Sequence, residues 1–146
     1  MEVKIRQAVL EDFTEIDFFD VFAGDRKSEI QRNEVWVAIL QGKIAAYITF
    51  NHSFYQKPFI QYLNVKLEYR KQGIGQALIK SIEKRCNKEK LFTSTESNNL
   101  SMIRLLERRK FKLVGVIEQL QEVAEIIYCK EIKRKNQRSI TEIALH

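Results

Sequence analysis

The stretch Arg70-Lys71-Gln72-Gly73-Ile74-Gly75-Gln76-Ala77 constrains this chain most, because it lies where an alternating apolar run ends and a helical pattern begins. Upstream, Phe59-Ile60-Gln61-Tyr62-Leu63-Asn64-Val65 is rich in aromatic and β-branched residues and is predicted to be a strand. Downstream, Ala77, Leu78, Ile79, Ile82 and Cys86 recur at helical spacing, which places the glycines on a strand-to-helix turn. Two glycines one residue apart let a ligand come close to the backbone. The first turn of a helix offers unpaired N–H groups, and the helix dipole adds about half a positive charge. Together these suit a pyrophosphate. Taken alone, the same stretch also reads as a plain tight turn.

The length of 146 residues fits one domain, with about two-thirds of the unfolded chain's surface buried on folding. The formal charge of +6 is uneven: residues 1–34 hold five basic and nine acidic side chains, a net of −4, so residues 35–146 carry +10. A basic body suits a ligand with several phosphates, and an acidic N-terminal segment suits a cationic second substrate. No basic recognition motif interleaved with aromatic residues is present, so charge alone is a weak case for nucleic acid. Cys86 and Cys129 have no metal or redox spacing and lie on apolar faces, which predicts core thiols in a reducing compartment and no metal. No apolar run approaches the roughly 20 residues that span a membrane, and Met1-Glu2-Val3-Lys4-Ile5 is not a signal peptide. A cytoplasmic chain without a membrane partner is expected.

Along the chain, Val3 and Ile5 alternate with polar residues as in a short strand. A helix is predicted from Glu11 to Gly24, and a second from about Arg26 to Arg32, capped by Asp25. Val35–Leu40, the turn Gln41-Gly42-Lys43 and Ile44–Phe50 read as an antiparallel hairpin, followed by a loop from His52 to Lys57. After the helix that follows the glycines, Leu91–Thr95 reads as a strand reached by a parallel crossover. Ser97 or Asn98 is expected to cap the next helix, before strands at Phe111–Val116 and Glu125–Ile132. The order is β-α-α-β-β-β-α-β-α-β-β. Residues 133–146, basic at first and weakly apolar at the end, are read as an extension beyond a domain of residues 1–132, either peripheral or used for homodimerisation.

The spacing Arg70-x-x-Gly73-x-Gly75, with Asn99 and the later run Leu105-Leu106-Glu107-Arg108-Arg109-Lys110-Phe111, resembles the GNAT family of acetyltransferases over roughly Val3 to Ile132. The resemblance implies a single-domain α/β fold with a mixed central sheet of about seven strands and about four helices. It implies acetyl-coenzyme A as co-substrate, with the N–H groups of Gln72, Gly73, Ile74, Gly75 and Gln76 on the pyrophosphate and Arg70 or Lys71 adding charge. It further implies that the strand before the glycines splays from its neighbour, so that backbone groups near Leu63 and Val65 pair with the pantetheine arm. Asn99 would bond that arm through its side chain, or else merely cap its helix.

The implied chemistry is attack of an amine on a thioester, giving an N-acetyltransferase for a small-molecule or peptide amine. An alkylamine with a pKa near 10.4 is only about one part in a thousand neutral near pH 7, so a proton acceptor is needed. Residues 35–67 contain no Asp or Glu. The candidate bases are Glu96, His52 and Tyr62, with Tyr128 and Glu118 behind them. In the resembled family the first two helices wall the acceptor site, and Glu11, Asp12, Glu15, Asp17, Asp20 and Asp25 lie there, which suggests cationic acceptors. Two positions depart from the family pattern: Leu106 stands where a tyrosine acts as general acid, on a helix face expected to accept that ring, and Lys110 replaces a glycine. The alternative in another class is a non-catalytic acyl-coenzyme A binding or regulatory module.

Overall fold

The computed structural model describes residues 2–86 and 90–132, so the extension at 133–146 lies outside the described residues. The chain runs β1 (Val3–Gln7), α1 (Phe13–Phe19), α2 (Arg26–Gln31), β2 (Val35–Leu40), β3 (Lys43–Phe54), β4 (Lys57–Val65), α3 (Ile74–Arg85), β5 (Lys90–Glu96), α4 (Leu100–Arg108), β6 (Lys112–Ile117) and β7 (Glu125–Glu131). The strands form one mixed seven-stranded sheet in the order β1-β2-β3-β4-β5-β7-β6. Every neighbouring pair is antiparallel except β4 and β5.

The alternating pattern of the central strands divides the core into two layers. Trp36, Ala38, Ile48, Ile60 and Leu91 pack with Leu78, Ile79, Ile82 and Leu106 of α3 and α4. On the opposite face Val35, Val37, Ile44 and Tyr47 pack with Ile16 of α1 and Ile30 of α2.

Several local expectations change. Helix α1 begins after a 3-10 turn at Leu10–Asp12 and ends at Phe19, well before Gly24, with Asp20 already extended. The region from His52 to Lys57 is no loop: β3 continues to Phe54, and Tyr55 and Gln56 form a two-residue turn with φ of 52° and 63°. Such positive-φ turns normally advertise themselves with Asn or Gly, which this pair lacks. The α4 cap is Asn99 rather than Ser97 or Asn98; its side chain accepts from the Met102 N–H at 3.1 Å.

Helix α4 ends in a paired closure, with the Phe111 N–H on the Leu106 carbonyl and the Lys110 N–H on that of Glu107. This motif holds one residue left-handed, and here that residue is Lys110 at φ 69°. A side chain there costs about 1 kcal/mol relative to glycine. Lys110→Gly should therefore stabilise the protein by about 1 kcal/mol, read as a higher urea midpoint at unchanged slope, and Lys110→Val should lower the midpoint.

Candidate active site

Strands β4 and β5 pair at two positions only, Phe59 with Phe92 and Ile60 with Thr93. The junction is fixed by the buried Thr93 hydroxyl, which donates to the Ile60 carbonyl at 2.9 Å. Beyond it β4 stays with β3 and β5 stays with β7, so the sheet opens between them. A bulge starts the divergence: Ile48 faces Leu63 while Phe50 faces Ile60, leaving one extra residue on β4. The Thr49 hydroxyl accepts the Tyr62 N–H at 2.8 Å and satisfies the displaced donor.

The direction of the open edge follows from parity. The Tyr62 and Lys66 N–H groups both bond to β3, at Thr49 and Ala45. Backbone groups alternate along a strand, so those of Leu63 and Val65 turn toward the gap. The Val65 carbonyl there accepts Arg70 Nε at 3.0 Å, which draws the following loop back over the end of β4.

That loop carries Lys71 at φ 62° and Gly73 at φ 82° before α3 starts. The first bond into the helix joins the Ala77 N–H to the Gly73 carbonyl. The N–H groups of Ile74, Gly75 and Gln76 precede it and have no acceptor within the helix, as at any helix start. Gly75 has a packing role: a Cβ would lie 3.2 Å from Leu105 Cδ2 and 3.5 Å from Leu63 Cδ2. Its small size lets the start of α3 settle onto β4 and α4, above the point where the sheet parts.

The candidate bases fall at different ends. Glu96 closes β5 and is exposed, and strand alternation puts it on the same face as Phe92, opposite α3. Tyr62 lies across the gap on that face, in the layer of α1 and α2. His52 sits elsewhere. Asn51 is level with Phe59, so His52 is on the far side of the Ile60 junction from Leu63 and Val65. It borders a cleft with Glu29, Arg32, Glu34, Asn51, Ser53 and Gln61. Leu106 is fully buried in the core, so its face of α4 has no ready space for a tyrosine ring. Tyr128 is buried beside it in the same layer, its hydroxyl pushed up by burial and by Glu107.

The acidic wall read from the sequence is mostly engaged in holding the fold. Asp12 receives both guanidinium nitrogens of Arg6, at 2.7 and 2.9 Å, and that guanidinium holds its carboxyl below the usual range. Glu15 accepts the Ile44 N–H, and Asp25 caps α2. Asp20 belongs to a buried network centred on Arg26, which is 3% exposed. Arg26 donates to Asp20 at 2.9 Å, to Glu29 and to the Ala23 carbonyl, and its guanidinium lies over the rings of Tyr47 and Tyr62. Only the Arg26 and Glu29 pair, at i and i+3, has a trace in the sequence; Asp20, six residues before Arg26 and outside α1, has none.

A family model for the acetyltransferase (GNAT) family matches residues 4–111. The chain belongs to the GNAT family of acetyltransferases. Solved structures share the fold. A GNAT-family acetyltransferase from Bacillus cereus superposes with a TM-score of 0.84 at 22% identity, over 92% of this chain and 100% of its own. A Bacillus anthracis protein described as a streptothricin acetyltransferase, solved in complex with acetyl coenzyme A, gives 0.77 at 16% identity over 91% and 100%. An N-acetyltransferase from Staphylococcus aureus gives 0.73 at 20%, over 91% and 100%. No curated protein sequence gives a significant match. Among the described residues of this GNAT member, no helix is long and apolar enough to cross a membrane.

The Arg26 network sets a pH response. Burial alone would raise the Asp20 carboxyl, but hydrogen bonds from Arg26, the Tyr47 hydroxyl and the Phe22 N–H outweigh it and hold the group below its ordinary value. A group depressed by folding contributes stability that is complete above its unfolded pKa and is lost as pH falls through the folded one. Urea midpoints measured from pH 7 down to about pH 3 should therefore fall less steeply for Asp20→Asn than for the wild type. Arg26→Ala should cost about 3–5 kcal/mol at pH 7, because it strands two buried carboxylates.

Proposed function

We propose that this chain transfers an acetyl group from acetyl-coenzyme A to a primary amine of a small molecule or peptide, in the cytoplasm. The observation that carries the reading is the parting of β4 from β5 after two residue pairs, with the unpaired start of α3 beside the opening. The fit to the co-substrate is a matter of backbone. The Leu63 and Val65 edge suits the amides of a pantetheine arm, and the N–H groups of Gln72 to Gln76 suit a pyrophosphate, with Lys71 adding charge. Arg70 contributes by fastening the loop through Val65. Asn99 caps α4 with its oxygen, which leaves its amide N–H groups to meet the arm. Acetyl-coenzyme A bound there supplies the thioester that the amine attacks.

The chain's own part is to place the amine and accept its proton. Glu96, exposed at the mouth of the opening, takes that proton directly or through one water, and Tyr62 lines the opposite edge. His52, below the junction, has no place in this step. Leu106 offers no proton to the departing thiol, and a thiol with a pKa near 8.5 leaves tolerably as the thiolate. The buried Leu106 is also what favours the second reading, a module that binds acyl-coenzyme A without turning it over.

Two experiments decide. Acetyl-coenzyme A should raise the melting temperature, and Gln72→Glu, which puts a carboxylate on the exposed loop without touching the packed Gly75, should weaken binding at least about tenfold. Unaltered binding by that variant would remove the pyrophosphate assignment. Thiol release with a broad amine panel should be measurable, and Glu96→Gln should lower kcat/KM by about 10²–10⁴ at unchanged acetyl-coenzyme A affinity. Binding without release for every amine would establish the module instead.

A further inference from the structure

The segment between α1 and α2 seats directly on the part of β4 that borders the opening. Asn64 Nδ2 donates to the Phe19 carbonyl at 3.3 Å, and the Phe22 ring stacks on Tyr62 with centroids 5.0 Å apart. The segment is preformed: the Phe22 N–H bonds Asp20 at 3.0 Å, Arg26 holds the Ala23 carbonyl at 3.2 Å, and Gly24 at φ 123° has Glu29 Oε2 3.1 Å from where a Cβ would be. Asp20 at its start and Glu29 of α2 are both bound to Arg26, while Asp25 at its end is exposed and caps α2. The stretch before Asp25 presents apolar side chains outward. Phe18 is 92% exposed, Val21 71% and Phe22 41%, all within five residues of chain. Three large apolar side chains exposed so close together, one of them stacked on Tyr62, mark a contact surface rather than scattered surface residues.

We propose that the acceptor is an amine carried on an apolar or aromatic body, gripped by Phe18, Val21 and Phe22 alongside Tyr62. The assignment rests on the acyltransferase reading and narrows its acceptor. It also changes what holds the cationic acceptor expected from the sequence: Asp20 and Glu29 are taken up by the buried Arg26, which a substrate ammonium would have to displace, so the grip falls to the body of the amine rather than to its charge. An apolar body needs no such exchange, and the rigid Tyr62 and Phe22 pair gives it a flat surface to cover.

The test compares phenethylamine and 4-phenylbutylamine with propylamine and putrescine. Turnover is read by thiol release, amine binding by saturation-transfer NMR in the presence of coenzyme A, and acetyl-coenzyme A affinity separately by thermal shift. The aryl amines should exceed propylamine and putrescine at least about tenfold in kcat/KM. Phe22→Ala should reduce that preference to less than about threefold through KM, at unaltered acetyl-coenzyme A affinity. Phe18→Ser, at an exposed site where no folding defect arises, should act in the same direction. Preference for putrescine, or equal loss for all amines in both variants, would overturn the proposal. Should turnover be absent with acetyl-coenzyme A still bound, the NMR ranking of the amines decides it alone. Absence of acetyl-coenzyme A binding would defeat the underlying reading and this proposal with it.

Discussion

The two-residue pairing of β4 with β5 is the constraint on which the rest of the structure depends. A sheet joined so briefly at its middle is close to being two sheets, β1 to β4 and β5 to β7, and other interactions must hold the halves in register. Near the junction the Phe54 ring packs on those of Phe59 and Phe92, each with centroids 5.2 Å away, and its contact with Phe92 crosses the seam. On the opposite face, Glu83 of α3 receives Arg109 from just past α4 and Lys130 of β7, both at 2.7 Å. An aromatic cluster and a partly buried ion triad thus replace the backbone ladder that the opening removes.

Much of this was legible in the chain. The order of elements, the turn at Gln41 and Gly42, and the strand-glycine-helix junction follow from period and turn chemistry, because each is dictated by local residues. The misreadings share a different cause. Tyr55 and Gln56 form a tight turn without the usual residues, so β3 looked shorter than it is and His52 looked like a loop residue. Lys110 takes the left-handed conformation of the α4 closure without the glycine that normally marks it, while Leu106 is buried by contacts from several distant elements. No local pattern records either.

The acidic segment shows the same limit in its electrostatics. Counted along the sequence, six carboxylates on two short helices look like a surface field. Folded, Asp12, Glu15, Asp20 and Asp25 each find a donor, and the donors come from β1, β3 and α2. Composition reports the charge but not its partner. Since a paired carboxylate has little field left for a ligand, the sign of a segment is a poor guide to what it binds until its hydrogen bonds are known.

The edge at Leu63 and Val65 has a consequence of another kind. Its polar groups are peptide groups, the same at every residue type, while the side chains of these two residues point into the core beside α3. An edge of this composition has no signature in the residue alphabet. Exchanging Leu63 for isoleucine would leave its hydrogen-bonding pattern as it is. It would alter only how the strand is packed from behind. Such a surface can persist while the sequence that forms it drifts, which makes shape the more durable marker of this kind of site.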